Sequence, residues 1–223
     1  PYLLLNRAAR RVARRIGRTL TAGAACDGEL SAVGRPHNFQ QTCQAVDMAR
    51  QAKLKNLSLD LIYGLPGQSV ESWKETVERA IALEPEHISA YGLKVEEGTP
   101  LDLRVRRGED LPDDDTQADC YLWTVARLEQ AGYGQYEISN FAKPGFRSRH
   151  NCKYWLTRPY IGFGPGAHSD FGGRRYSFLR DLEGYIRGVL EGGAIVDEDD
   201  VIPQRERSGE YLMLRLRTTH GIE

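Results

Sequence analysis

The stretch Asn56–Gln68, NLSLDLIYGLPGQ, constrains the fold more than any other. Residues 57–63 are almost continuously apolar, as in a strand covered on both faces. A Gly-Pro-Gly turn ends them. Ser69 is placed to cap a helix, and Trp73, Val77, Ala80 and Ile81 recur at helical spacing until Pro85 stops them. His87 to Leu93 reads as a second strand. Strand, loop, helix, strand is a parallel βαβ unit with a right-handed crossover. Asp60 places a carboxylate inside the first strand, where it needs a partner or a ligand. Ligands of such sheets bind beyond the carboxyl ends of the strands, the end where Asp60, Tyr63 and the GLPGQ loop lie. Gly64 and Gly67 permit close backbone approach. The loop has neither the Lys-Ser/Thr pair of a P-loop nor a GxGxxG fingerprint, so alone it identifies no cofactor.

Composition narrows the class. The chain has 223 residues, 40% hydrophobic and 27% charged, with a formal net charge of -1. These values fit a soluble globular protein and give no case for a nucleic-acid partner. No apolar run is long enough to span a membrane. The charge is uneven: Arg7, Arg10, Arg11, Arg14, Arg15 and Arg18 precede the first acid, Asp27, and are spaced as on a helix. Such a segment suits a transit peptide, a nucleic-acid arm or a piece outside the fold, and the last is favoured. Cys26, Cys43, Cys120 and Cys152 match no zinc or compact cluster spacing, so four thiols in a reducing, cytoplasmic setting are expected.

Elsewhere, Phe39, Cys43, Val46 and Ala49 predict a helix over 38–52. Residues 101–112 read as a polar excursion before a helix that starts near Asp113–Asp115 and ends at Gly132. Tyr136–Ile138 is a short strand and Ser139–Gly145 a loop. RHNCKYW, residues 149–155, crowds an imidazole, an amide, a phenol and an indole. His150 suits a metal ligand, a proton donor or a helix cap. Tyr154 and Trp155 suit a planar ligand or a core. IGFGPGAH, residues 161–168, either lines a ligand with its amides or lets two elements approach closely. Residues 171–176 read as a turn, Phe178 to Leu190 as a helix, Asp197–Asp200 as a solvated acidic flank, and Pro203 as the start of a last helix.

Taken together, VGRPH (33–37), LDLIYGLPGQ (59–68), HISAYGLKVEEGTPL (87–101), YEISNFAKPG (136–145), RHNCKYW (149–155) and YIGFGPGAHS (160–169) closely resemble the haem-chaperone branch of the radical S-adenosylmethionine superfamily. That branch is related to oxygen-independent coproporphyrinogen III oxidase. The resemblance runs from about Asp27 to Glu223, roughly the second half of a full-length relative. It implies an α/β fold: a partial radical-SAM (β/α) barrel with its early strands missing, followed by the start of a C-terminal helical region. The corresponding divisions are an Arg-rich segment 1–26, the barrel and haem-associated region 27–176, and the helical start 177–223.

The resemblance also implies roles. Arg35 pairs with the methionine carboxylate of S-adenosylmethionine, Asp60 binds the sugar diol, and Tyr63 and Gly64 lie beside the adenine. His150 is the metal-binding, haem-linked residue of an HNxxYW pattern, with Asn151, Tyr154 and Trp155 shaping its site. An intact relative also carries a 4Fe-4S cluster on a Cys-x3-Cys-x2-Cys motif, and that triplet does not occur in this sequence. The implied function is haem binding and transfer to haem-accepting apoproteins, membrane-associated acceptors among them, without radical activity in this chain. The alternatives are an oxygen-independent coproporphyrinogen oxidase of porphyrin biosynthesis and an inactive fragment.

Overall fold

The computed structural model describes residues 18–222. The chain divides into two compact units, one ending at Arg147 and one beginning at Ser148. This division falls well before the boundary expected near residue 176. No helix among the described residues is long and apolar enough to cross a membrane.

The first unit is built on the expected βαβ core. Strand β1 is Arg18–Gly23, followed by helices α1 (Asp27–Ala32) and α2 (Phe39–Gln51), strand β2 (Leu57–Tyr63), helix α3 (Val70–Ala82) and strand β3 (His87–Gly92). Helices α4 (Pro100–Arg106) and α5 (Asp114–Gln130) precede the short strands β4 (Gly134–Glu137) and β5 (Asn140–Ala142). The sheet order is β1-β2-β3-β5-β4, with β1, β2 and β3 parallel, and β5 antiparallel to both β3 and β4. This is the partial α/β sheet that the sequence implied, open at both edges among the described residues.

Alternation along the strands separates two faces. Ala22, Leu57, Leu59, Leu61, Ile88, Ala90 and Phe141 enter one buried core with Trp73, Val77 and Ala80 of α3 and Leu128 of α5. Each fully buried leucine there contributes roughly 1.5–3 kcal/mol. The Trp73 indole Nε1 donates to Thr124 Oγ1 at 2.7 Å and to the Cys120 carbonyl at 3.3 Å, locking α3 to α5. The Ser69 side chain caps α3 by accepting from Ser72 N, as expected.

Three segments differ from the sequence-based reading. The helix inferred over the arginine-rich start falls largely on residues 1–17, outside the described residues. Arg18–Gly23, assigned to that segment, is instead strand β1 beside β2. Its Leu20 and Ala22 pack on the core side, a period of two that the arginine spacing obscured. The polar excursion at 101–112 contains α4, which Thr99 caps and Pro100 opens. Thr-Pro at the start of a helix is a local signal that outweighs polarity. Asn140–Ala142, read as loop, forms β5 because β3 and β4 offer it pairing partners distant in sequence.

The second unit begins with helix α6 (Arg149–Trp155), capped by Ser148. Strands β6 (His168–Phe171), β7 (Arg174–Phe178) and β8 (Val196–Val201) form an antiparallel sheet in that order, and β6 joins β7 through Gly172 and Gly173. Helix α7 (Leu182–Glu191) separates β7 from β8, and α8 (Gln204–Leu216) ends the unit. The turn expected at 171–176 is therefore the tip of a hairpin. The acidic run Asp197–Asp200, read as a solvated flank, lies in an exposed strand. It is held by a cross-strand pair, Arg174 Nε to Asp199 Oδ1 at 2.8 Å.

Candidate functional site

The face of the first sheet opposite the core is polar. Thr21 pairs with Asp60, Asp60 with Ser89, Ser89 with Asn140, and Asn140 with Glu137. One lateral row thus carries a polar side chain on each of the five strands, at the usual interstrand spacing of about 4.8 Å. Burial deepens along it: Thr21 is exposed, Asp60 half-buried, and Ser89, Asn140 and Glu137 buried. Asp60 hydrogen-bonds with Ser89, yet burial still raises its pKa above the ordinary carboxylate value. The structural partner required for Asp60 is therefore present, and the group remains partly exposed to solvent. Asn140 Nδ2 donates to Glu137 Oε1, and Asn140 Oδ1 is buried without a partner among the described residues.

A second row lies one step toward the amino ends of the strands. Ser58 Oγ and His87 Nδ1 are 2.7 Å apart, and His87 Nε2 and the Tyr136 hydroxyl 2.8 Å apart. Burial lowers the His87 pKa to about 4, so the imidazole is neutral near pH 7. Sequence reasoning finds Asp60 alone of these residues. The signal of the others is the alternation His-x-Ser in HISAY and the polar residues of YEISN.

Tyr63 and Gly64 lie at the carboxyl end of β2. The Tyr63 ring packs on Trp73 at a 5.4 Å centroid separation and lies against Gly92 on β3. Desolvation raises its pKa, with Tyr121 and Cys120 adding to the effect. Gly64 has φ +80°, a dihedral that demands glycine, and a Cβ there would also displace the Gln117 amide, 2.8 Å away. Leu65–Gln68 then forms a turn closed by Gln68 N donating to the Leu65 carbonyl at 3.0 Å. Arg35 lies just beyond α1, fastened through its backbone N–H to the Leu30 carbonyl at 2.9 Å. Its side chain is exposed and makes no ion pair among the described residues.

In the second unit, His150 is exposed on α6. Its Nε2 is 3.1 Å from the Tyr154 hydroxyl, one helical turn on, and the two rings meet edge to face. Tyr154 in turn packs edge to face on Tyr160, 4.7 Å between centroids. Asn151 is half-buried, and its backbone N–H donates to Ser148 Oγ. Trp155 lies under the Arg217 guanidinium, 4.6 Å from the ring centroid, and its Nε1 is buried without a hydrogen-bond partner among the described residues. His150 and Tyr154 are thus brought together, whereas Trp155 is engaged with the segment after α8. IGFGPGAH permits close approach: a Cβ on Gly162 would collide with the His168 carbonyl. The four cysteines are free thiols. Among the described residues, no three His, Cys, Asp or Glu side chains gather as a metal site.

No family model matches the chain. Individual relatives do. The heme chaperone HemW of Bacillus subtilis is 36% identical over 197 residues, covering 88% of this chain and 52% of its own. That of Mycobacterium tuberculosis is 42% identical over 195 residues, covering 86% and 50%. The mitochondrial radical S-adenosyl methionine domain-containing protein 1 of Danio rerio is 35% identical over 202 residues, covering 86% and 46%. The chain spans about half the length of these relatives. Among solved structures, the radical SAM enzyme coproporphyrinogen III oxidase (HemN) of Escherichia coli matches with a TM-score of 0.75. The match covers 96% of this chain and 53% of that one, at 20% identity, a likeness of fold.

Proposed function

The chain belongs to the haem-chaperone family of radical S-adenosylmethionine proteins, and on that premise we propose that it binds haem through His150 and S-adenosylmethionine on the polar face of its first sheet. The observation that carries the haem reading is the presentation of His150. The imidazole is exposed, and its Nε2 is engaged with the Tyr154 hydroxyl alone among the described contacts. Releasing one exposed hydrogen bond costs only about 0.5–1.5 kcal/mol, and imidazole is a common axial ligand of haem iron. Tyr154, braced on Tyr160, steers the ring; Asn151 and Trp155 support the same short helix. Haem is the cargo, and transfer to haem-accepting apoproteins, in the cytoplasm or at a membrane, completes the proposed function.

S-adenosylmethionine fits the first sheet. Asp60 is half-buried with acceptor capacity beyond its bond to Ser89, as a ribose diol requires. Arg35 offers an exposed guanidinium, without an ion pair among the described residues, of the shape that matches a carboxylate as a fork. Tyr63 and Gly64 shape the adjoining wall. When bound, the cofactor supplies a sulfonium whose reductive cleavage draws an electron from a cluster, and the Cys-x3-Cys-x2-Cys ligands of that cluster are not in this sequence. In this proposal the chain's own residues bind and orient the cofactor.

Haem titration tests the reading. The wild-type chain takes up haem saturably with a shifted Soret band, and His150→Ala loses that shift. Absence of saturable uptake in the wild type sinks the haem function. An unchanged spectrum in His150→Ala sinks the role of His150.

A further inference from the structure

Glu29 on α1 is buried, 6% exposed, and has no cationic partner among the described residues. An uncompensated buried carboxylate is costly unless its acceptors are filled. They are filled by neutral donors. Gln68 Nε2 donates to Glu29 Oε2 at 2.8 Å, and Ser72 Oγ donates to Glu29 Oε1. Gln68 is itself buried, 5% exposed, and its Oε1 accepts from Gly64 N at 2.8 Å and from Leu65 N at 3.4 Å. A carboxylate can only accept, so it can face only the amino side of the Gln68 amide. That fixes the flip of the amide and turns Oε1 toward the two backbone N–H groups. The Gly64 and Leu65 N–H groups can only donate, so they require the same orientation from the other side.

The same brace reaches Arg35. Its backbone N–H is tied to the carbonyl of Leu30, the residue after Glu29. Beneath the polar chain, Leu30, Leu65 and Ala24 form a small buried cluster joined by Val33, Ile62 and Leu93. The segments that follow β1, β2 and β3 are thus fastened to one another. The Gly64 and Leu65 amides are consumed inside the loop, so it serves as a shaped wall and not as an anion nest.

We propose that Glu29 and Gln68 are positioning residues: a buried carboxylate–amide relay that holds the Gly64 loop and the Arg35 segment as one wall of the S-adenosylmethionine site. The proposal rests on the cofactor reading above.

Exchanging the two groups tests it. Gln68→Glu sets two carboxylates face to face. Glu29→Gln with Gln68→Glu restores a complementary pair, since a carboxylate at 68 accepts from Gly64 N and Leu65 N while the amide at 29 donates to it. Amide exchange at Gly64 and Leu65 reads the brace, and calorimetric titration with S-adenosylmethionine reads the site. Gln68→Glu is expected to speed both amides and to weaken affinity about tenfold or more, the scale of one lost buried hydrogen bond. The exchanged pair is expected to recover both. Unchanged amide exchange in Gln68→Glu overturns the relay. Faster exchange with unaltered affinity overturns its positioning role, as does a double variant no better than the single one. If Gln68→Glu does not fold, Gln68→Met removes the bond to Glu29 and those from the Gly64 and Leu65 amides without adding charge. A wild-type chain that does not bind S-adenosylmethionine sinks the cofactor reading and the positioning role with it, and amide exchange alone then decides whether the brace exists.

Discussion

At the scale of single residues, Asp60 and His87 share one face of one sheet, and burial drives both toward their neutral forms. The consequences differ. Asp60 must be ionised to accept the two donors of a diol, and its pKa lies above the ordinary aspartate value. S-adenosylmethionine affinity should therefore begin to fall with acid at a higher pH than an unperturbed aspartate dictates. Titration calorimetry across pH checks this, and Asp60→Ala should bind weakly at every pH. His87 acts on stability. Its folded pKa of about 4 lies below the ordinary 6.5, so the unfolded chain takes up a proton that the folded chain refuses. Its contribution is fully present above pH 6.5 and is lost as pH falls toward 4. The gap corresponds to about 3 kcal/mol at most. His87→Gln should flatten this part of the pH dependence of the urea midpoint; a variant with the wild-type slope would refute the assignment. Asp60 was legible as a lone polar break in an apolar strand. His87 was not, because a histidine beginning an apolar run gives no sign of its tertiary partners Ser58 and Tyr136.

At the scale of elements, α3 is held between β2 and α5 by Trp73, which is fully buried and hydrogen-bonded to Thr124. Trp73→Phe keeps much of the apolar volume but removes the indole bond to Thr124, whose hydroxyl still donates to the Cys120 carbonyl at 2.6 Å, and the lost bond should cost about 0.5–1.5 kcal/mol. Trp73→Ala adds a cavity and should cost about 3–5 kcal/mol, with chemical denaturation as the measure. An unchanged denaturation midpoint in Trp73→Phe would show that the hydrogen bond contributes nothing. The β2–α3–β3 unit was readable because its strand run, cap, apolar stripe and stop all lie in consecutive residues. Strand β8 was not: VDEDDV carries no apolar alternation of an ordinary half-buried strand, and its pairing depends on Arg174, more than twenty positions earlier. Strand β5 is three residues long and exists through the pairing of β3 and β4. The site divided in the same way. Arg35, Asp60, Tyr63, Gly64 and the HNxxYW helix stood in contiguous motifs, whereas Ser89, Asn140 and Glu137 joined Asp60 only through sheet register.

At the scale of the whole molecule, the two units differ in their response to mild acid. In the first, the His87 contribution disappears between pH 6.5 and about 4. The raised pKa of Asp60 works against this, since protonating a desolvated carboxylate favours the folded form, but Asp60 retains solvent and its bond to Ser89. In the second unit, β6, β7 and α8 are joined by Asp170, Arg175, Arg207 and Glu210, with contacts of 2.7 to 3.1 Å. Burial alone would raise the Asp170 pKa, but hydrogen bonds from Arg207 and Arg175 outweigh it and hold the pKa below 3.8. Glu210 is held below 4.5, chiefly by Arg175. Carboxylates with depressed values contribute above their unfolded pKa and lose that contribution only as pH falls through the folded one. Acidification from about pH 7 to about pH 5 should therefore weaken the first unit and leave the second almost unaffected. The chain's three tryptophans allow a direct reading, because Trp73 and Trp123 lie in the first unit and Trp155 in the second. Urea titrations followed by the indole N–H resonances of Trp73 and Trp155 should give midpoints that separate as pH is lowered, the Trp73 midpoint falling first. Midpoints that move together would mean that the two units unfold as one cooperative body, with His87 acting on both.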